Sequence, residues 1–190
     1  MKRMRQNIES NWEGEKKKMN EAMKALYDRR SIRRYKDLQI TREELDAVVR
    51  AGMCAPSGKN GQSAIIVAGQ DKETRDTLSL LNAAILGTKG DPFYGAPTVL
   101  VVLADADSPY AVQDGSLVLG NLMNAAKAIG LGSCWINRAE EVFASEAGKE
   151  LLKKWGIEGR WIGIGHCILG YPDEEPAMKA RKENYVTYVL

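Results

Sequence analysis

The sequence predicts an α+β domain in which helices flank one central sheet of mixed or antiparallel strands. Three observations carry that expectation. Segments with helical periodicity outnumber those with strand character, and the strands are separated by helices without regular strand–helix–strand alternation. Residues 98–104, TVLVVLA, are continuously apolar, the pattern of a strand buried on both faces. Residues 113–129 carry Leu117, Val118, Leu119, Leu122, Met123, Ala126 and Ile129 nearly all round a helix, with Lys127 as the lone cation. Such a helix belongs in a core or a subunit interface. The 190 residues suit one domain and are enough for a real core.

The elements follow in order. Met4, Ile8 and Trp12 recur every four residues, and Met19, Met23, Leu26 and Tyr27 resume the spacing, so residues 2–28 read as helical with a weak point at Gly14. Residues 1–19 are set apart as an N-terminal helical arm and residues 20–190 as the domain. Thr41 opens TREE, a capping box in which Glu44 reaches back, so a helix runs from Arg42 to about Met53 and stops before Pro56. Residues 55–62 form a loop of turn residues, and residues 65–68 a short strand. Residues 72–86 are a helix. After the helix at 113–129, Gly130 and Gly132 break the pattern and Cys134–Ile136 begins a strand. Residues 146–155 are helical, residues 161–169 alternate as a strand, and residues 185–189 form a last β-prone run.

Composition narrows the function classes. With 27 basic against 25 acidic residues the net charge is +2, too small for a general affinity for nucleic acid. Cys54, Cys134 and Cys167 are widely spaced without a CxxC pair, and His166 is the single histidine, which argues against a zinc site or a disulfide framework and fits a reducing cytoplasm. His166 lies in an apolar run and reads as a packing residue. No secretory h-region and no membrane-length apolar stretch is present in the sequence.

Four segments carry chemistry. Residues 29–35, RRSIRRY, bring four arginines and a serine together. Guanidinium forks match phosphate oxygens two at a time, and a hydroxyl adds a neutral donor. Pro56, Ser57 and Asn60 lie in a loop of small residues whose backbone can approach a flat ligand closely. Residues 130–136, GLGSCWI, enter a strand directly after the apolar helix, and their backbone can address a heteroaromatic edge. Residues 179–182, KARK, complete a phosphate clamp if the tail folds back. Neither a GxGxxG fingerprint nor a Walker sequence occurs.

Taken together, RRSIRRY, APSGKN at 55–60, FYGAP from Phe93, GLGSCWI and LGYP followed by basic residues resemble the nitroreductase family of flavin enzymes over residues 20–190. The resemblance implies an intertwined, nitroreductase-like homodimer that binds FMN at the subunit interface. It implies Arg29, Arg30, Ser31 and Arg33 at the phosphate and ribityl chain. It implies Pro56, Ser57 and Asn60 reaching the flavin from the partner subunit, and Asn82 at the isoalloxazine edge. Cys134, Trp135 and Ile136 would lie near the ring, largely through backbone, with Arg181 and Lys179 returning to the phosphate. One departure stands out: Gln62 is followed by Ser63 and Ala64, where family members often carry proline and an aromatic. The expected activity is hydride transfer from NADH or NADPH and ping-pong reduction of a nitroaromatic, a quinone or free flavin. No catalytic side chain and no metal are expected. The competing expectations are a non-enzymatic FMN carrier or redox sensor and, on the early basic cluster, a nucleic-acid-binding module.

Overall fold

The computed structural model describes residues 19–183 and 185–189. The arm expected at 1–19 lies almost wholly outside the described residues. Helix α1 (Glu21–Asp28) is the described part of the first helical reading, and Asn20 caps it by accepting from the Met23 amide at 2.9 Å. Helix α2 (Arg42–Met53) starts at the expected capping box: Thr41 accepts from the Glu44 amide and the Glu44 carboxylate accepts from the Thr41 amide. Strand β1 (Ala64–Gly69) leads into α3 (Lys72–Leu86), which Asp71 caps and Gly87 ends in the left-handed region at φ 72°. Strand β2 (Thr98–Asp105), helix α4 (Ala111–Ala128) and strand β3 (Gly132–Ile136) match the predicted elements to within two residues. Helices α5 (Ala139–Ala144) and α6 (Glu146–Lys154) share Ser145 as junction and cap, and β4 (Trp161–Gly170) closes the sheet.

The sheet order is β1–β2–β4–β3, with every neighbouring pair antiparallel. Helices cover both faces, which is why β2 is apolar without alternation. Its Val99, Val101 and Leu103 join a cluster with Leu78 of α3 and Val142, Phe143 and Leu152 of α5 and α6. Its Leu100 and Val102 join the opposite cluster with Val48 of α2 and Leu119 and Leu122 of α4. α5 lies close against β4 because glycine leaves room: a Cβ on Gly163 would stand 2.1 Å from the Ala139 carbonyl oxygen. A Cβ on Gly148 of α6 would stand 2.0 Å from the Val142 carbonyl oxygen.

Three places add to the sequence reading. α5 was not foreseen, because six residues are too few to show a period and its N-cap, Arg138, sits at φ 73° without a capping side chain. Within one protomer α4 turns Val118, Leu119 and Leu122 to the core and leaves Val112 and Leu117 exposed, which the expectation of a core or a subunit interface allows. Among the described residues the run 185–189 pairs with no strand, and Tyr185, Val186, Tyr188 and Val189 are exposed.

Candidate functional site

The arginine segment is fastened along two neighbours. On one side Ser31 bridges Ser133 in parallel, and the Ile32 amide donates to the Ser133 carbonyl at 2.9 Å. On the other, the Lys36 amide donates to the Tyr171 carbonyl, and Tyr35 bridges Pro172. The chain beyond β4 continues back along it. The Asp173 amide donates to the Arg34 carbonyl at 3.0 Å, Arg34 Nε donates to the Asp173 carbonyl at 2.6 Å, and the Arg33 amide donates to the Glu174 carboxylate at 2.5 Å. Tyr35 is half-buried at this junction and donates to the Ile32 carbonyl at 2.7 Å; desolvation pushes its phenol well above the usual range.

Between these strips lies a cleft of about 680 Å³, lined by Arg29, Arg30, Lys127, Gly130, Gly132, Ser133, Glu174 and Met178 among others. The four arginines divide their work. Arg29 lines the cleft. Arg30 also lines it, but spends its guanidinium on the Tyr27 and Arg29 carbonyls, both at 2.7 Å. Arg33 lies over the Tyr94 ring at 5.9 Å from its centre, and Arg34 holds Asp173. Lys127 also lines the cleft, a role not expected from the sequence although Lys127 stands out there as the lone cation on an apolar helix. Ser133 also borders the cleft, while its hydroxyl is buried and without a hydrogen-bond partner. Lys179 and Arg181 are exposed, just past the cleft wall that ends at Met178.

The loop at 56–60 sits at the other end of the sheet. Ser63, just before β1, accepts from the Asp105 amide at the end of β2, whereas the arginine segment meets β3 at its start, beside the first residues of β2. The eight residues of β2 separate the two by about 23 Å. Within one protomer, therefore, Pro56, Ser57 and Asn60 do not join the cleft. The loop is tightly shaped. Lys59, Asn60 and Gln62 have φ of 52°, 55° and 49°, and Ser57 Oγ accepts from the Gln62 amide at 3.0 Å. Asp114, on the first turn of α4, accepts from the Gly58 amide at 2.8 Å and from the Ser63 hydroxyl at 2.7 Å. The sequence offered no sign of Asp114, an acidic residue on an otherwise apolar helix whose partners lie more than fifty positions away.

The model of the Nitroreductase family matches residues 26–171. The chain belongs to the nitroreductase family. A protein of Archaeoglobus fulgidus provisionally named an NADH dehydrogenase/NAD(P)H nitroreductase is 35% identical over 162 residues, 83% of this chain and 88% of that protein. The FMN reductase [NAD(P)H] of Bacillus subtilis is 28% identical over 186 residues, 86% of this chain and 70% of that protein. Among solved structures, a nitroreductase with bound FMN from Bacteroides fragilis superposes with a TM-score of 0.81 at 25% identity, covering 90% of this chain and all of that one.

In this nitroreductase the remaining predicted residues divide. β3 is an edge strand, with Ser31 and Ile32 meeting only its start. Cys134 and Ile136 point into the protein, and burial pushes the Cys134 thiol up against the opposing pull of Arg33. Their side chains are therefore turned away from the surface, which leaves backbone as what they present there. Trp135 packs beside Gly165 and its buried Nε1 has no partner. Asn82, expected at the ring edge, is fully buried in the protomer, Nδ2 donating to the Asn137 carbonyl at 2.7 Å and Oδ1 accepting from Arg138 Nε at 2.9 Å. It pins the turn after β3 and has no surface to give a flavin. His166 is fully enclosed between Phe93 and Phe143, with ring centres 5.2 and 6.3 Å away, and is a packing residue.

Proposed function

We propose that this nitroreductase oxidises NADH or NADPH and reduces a small acceptor (a nitroaromatic, a quinone or free flavin) by a ping-pong sequence, as a homodimer with FMN at each subunit interface. The class of the enzyme, an NAD(P)H-dependent flavin oxidoreductase, follows from its family and from relatives named FMN reductase and, in Vibrio harveyi, NADPH-flavin oxidoreductase. The observation that carries the site is the cleft at the start of β3 that Arg29, Lys127 and Ser133 line, with the buried Ser133 hydroxyl left unpartnered.

The residues present fit a flavin phosphate. A buried hydroxyl without a partner calls for one, and two cations beside it suit an anion that forks. The chemistry supplied by bound FMN is acceptance of a hydride from the nicotinamide and delivery of the electrons to the second substrate. The chain's own residues bind and orient. Arg29 and Lys127 would neutralise the phosphate, with Arg30, Ser31 and Arg33 shaping that end and Lys179 and Arg181 closing it from the tail. The backbone of Cys134, Trp135 and Ile136 would meet the polar edge of the ring, where an N–H stabilises developing negative charge. The partner protomer's copy of the loop would bring Pro56, Ser57 and Asn60, since the loop of the same protomer lies about 23 Å along the sheet from the cleft. Val112 and Leu117 on α4 and the run 185–189 are the apolar surface that a dimer would cover. No side chain of the cleft is placed as a general acid, and we assign the proton to water.

The test is a visible absorption spectrum of the purified protein, followed by addition of NADH or NADPH. A two-band oxidised-flavin spectrum that bleaches supports the reading and names the donor. A flavin spectrum that neither nicotinamide bleaches points to a carrier or sensor. A colourless protein that takes up no added FMN overturns the reading, and a monomer holding stoichiometric FMN overturns the shared site.

A further inference from the structure

We propose that Asp114 is the positioning residue of the flavin site, acting through the 56–62 loop on the cofactor of the opposite protomer; the inference rests on the shared-site reading above. Asp114 is 3% exposed and is one of few buried charged side chains among the described residues. Its two carboxylate oxygens are divided between the two ends of one loop, Oδ1 on the Gly58 amide and Oδ2 on the Ser63 hydroxyl. Between those anchors three residues other than glycine hold left-handed backbone, Lys59, Asn60 and Gln62. Each such residue has an energetic cost that surrounding contacts must offset. The anchors supply that support. Gly58 is also seated against Tyr110, the N-cap of α4, so closely that a Cβ would stand 2.4 Å from the ring.

The carboxylate is suited to the task. It lies in the first turn of α4, where the helix dipole favours negative charge, on a helix packed into the core. A loop hung from it inherits the position of the core rather than that of the surface. Ser57 and Asn60, otherwise at or near the surface, are thereby fixed in space before any ligand arrives. Asp114 itself touches neither cofactor nor substrate.

The experiment measures FMN affinity by flavin fluorescence for Asp114→Ala, Asp114→Asn and Ser63→Ala, with dimer content by gel filtration and melting temperature for each. Asp114→Ala should weaken FMN binding roughly 10- to 100-fold while the dimer persists, because both loop anchors go. Asp114→Asn should recover most of the affinity, since its carbonyl still accepts from Gly58 and its amide can donate to the Ser63 oxygen. Should Asp114→Ala fail to fold, Ser63→Ala removes one anchor only and should still weaken FMN by roughly 3- to 10-fold. Wild-type affinity in Asp114→Ala or Ser63→Ala overturns the proposal, as does a loss in Asp114→Ala that Asp114→Asn does not repair. A mixed dimer of Arg29→Ala and Asp114→Ala protomers decides which protomer is served. One intact site per dimer means the loop serves its partner, and no intact site means it serves its own chain and overturns the proposal. A wild-type protein that binds no FMN condemns the shared-site reading instead, so the two failures are distinct.

Discussion

Replacing Asn82 by alanine tests the reassignment of that residue from the flavin to the core. The substitution removes a donor from the Asn137 carbonyl and an acceptor from Arg138 Nε. Asn137 is exposed and Arg138 half-buried, so water reaches both orphaned groups and each lost bond costs about 1 kcal/mol rather than a full desolvation penalty. The side chain itself is wholly enclosed, and truncating it leaves a small void worth about another 1 kcal/mol. The sum, about 3 kcal/mol, lowers the melting temperature of a chain this size by about 6–12 °C. The assay is thermal unfolding of flavin-free protein followed by far-ultraviolet circular dichroism, with FMN affinity measured in parallel. A flavin-free melting temperature unchanged within about 2 °C, together with a large loss of FMN affinity, would refute the core assignment and return Asn82 to the ring edge.

Other outcomes follow from the same structure. Arg29→Ala should strip FMN, losing about 2–5 kcal/mol of binding if it faces a buried phosphate, and FMN content after gel filtration reads it; wild-type content would remove Arg29 from the site. His166 is held neutral by burial, its pKa pushed down from 6.5 to about 4. Its contribution to stability is therefore whole above pH 6.5 and is lost as pH falls toward 4, at about 1.4 kcal/mol per pH unit, because the unfolded chain binds the proton first. Urea titrations across that range should show this slope in the wild type and its absence in His166→Leu. Thr41→Ala should cost about 1 kcal/mol by breaking the capping box of α2, with FMN affinity unmoved.

What could be read from the sequence was what is local. The capping box of α2, the bounds of α3 and the two-sided burial of β2 are written in adjacent residues and appear where expected. The strand order and the antiparallel registers depend on pairings between distant segments, and no local pattern states them. The site divides the same way. RRSIRRY raises the expectation of a place for an anion, yet only the fold shows that Arg29 and Arg30 line the cleft while Arg33 turns to Tyr94 and Arg34 to Asp173. The chain just after β4 is fastened along the arginine segment by Asp173 and Glu174, acidic residues that a search for phosphate-binding cations passes over. Asn82 and Asp114 are polar residues on helices, and their importance lies in partners more than fifty positions away.

The bare backbone at Gly148 and Gly163 has a consequence for how this chain tolerates mutation. At both positions even a methyl group would land about an oxygen radius from a carbonyl, and that oxygen belongs to a helix seated on the sheet. No neighbouring side chain can swing away to make room. Replacing Arg29, by contrast, opens no such clash and should leave the chain folded. In a library of random substitutions sorted only for soluble expression, the deepest gaps should fall at these two glycines and not in the cofactor cleft. The residues that define this enzyme's chemistry and those that define its survival as a fold are then two separate sets, and drift will wear away the first while the second stands.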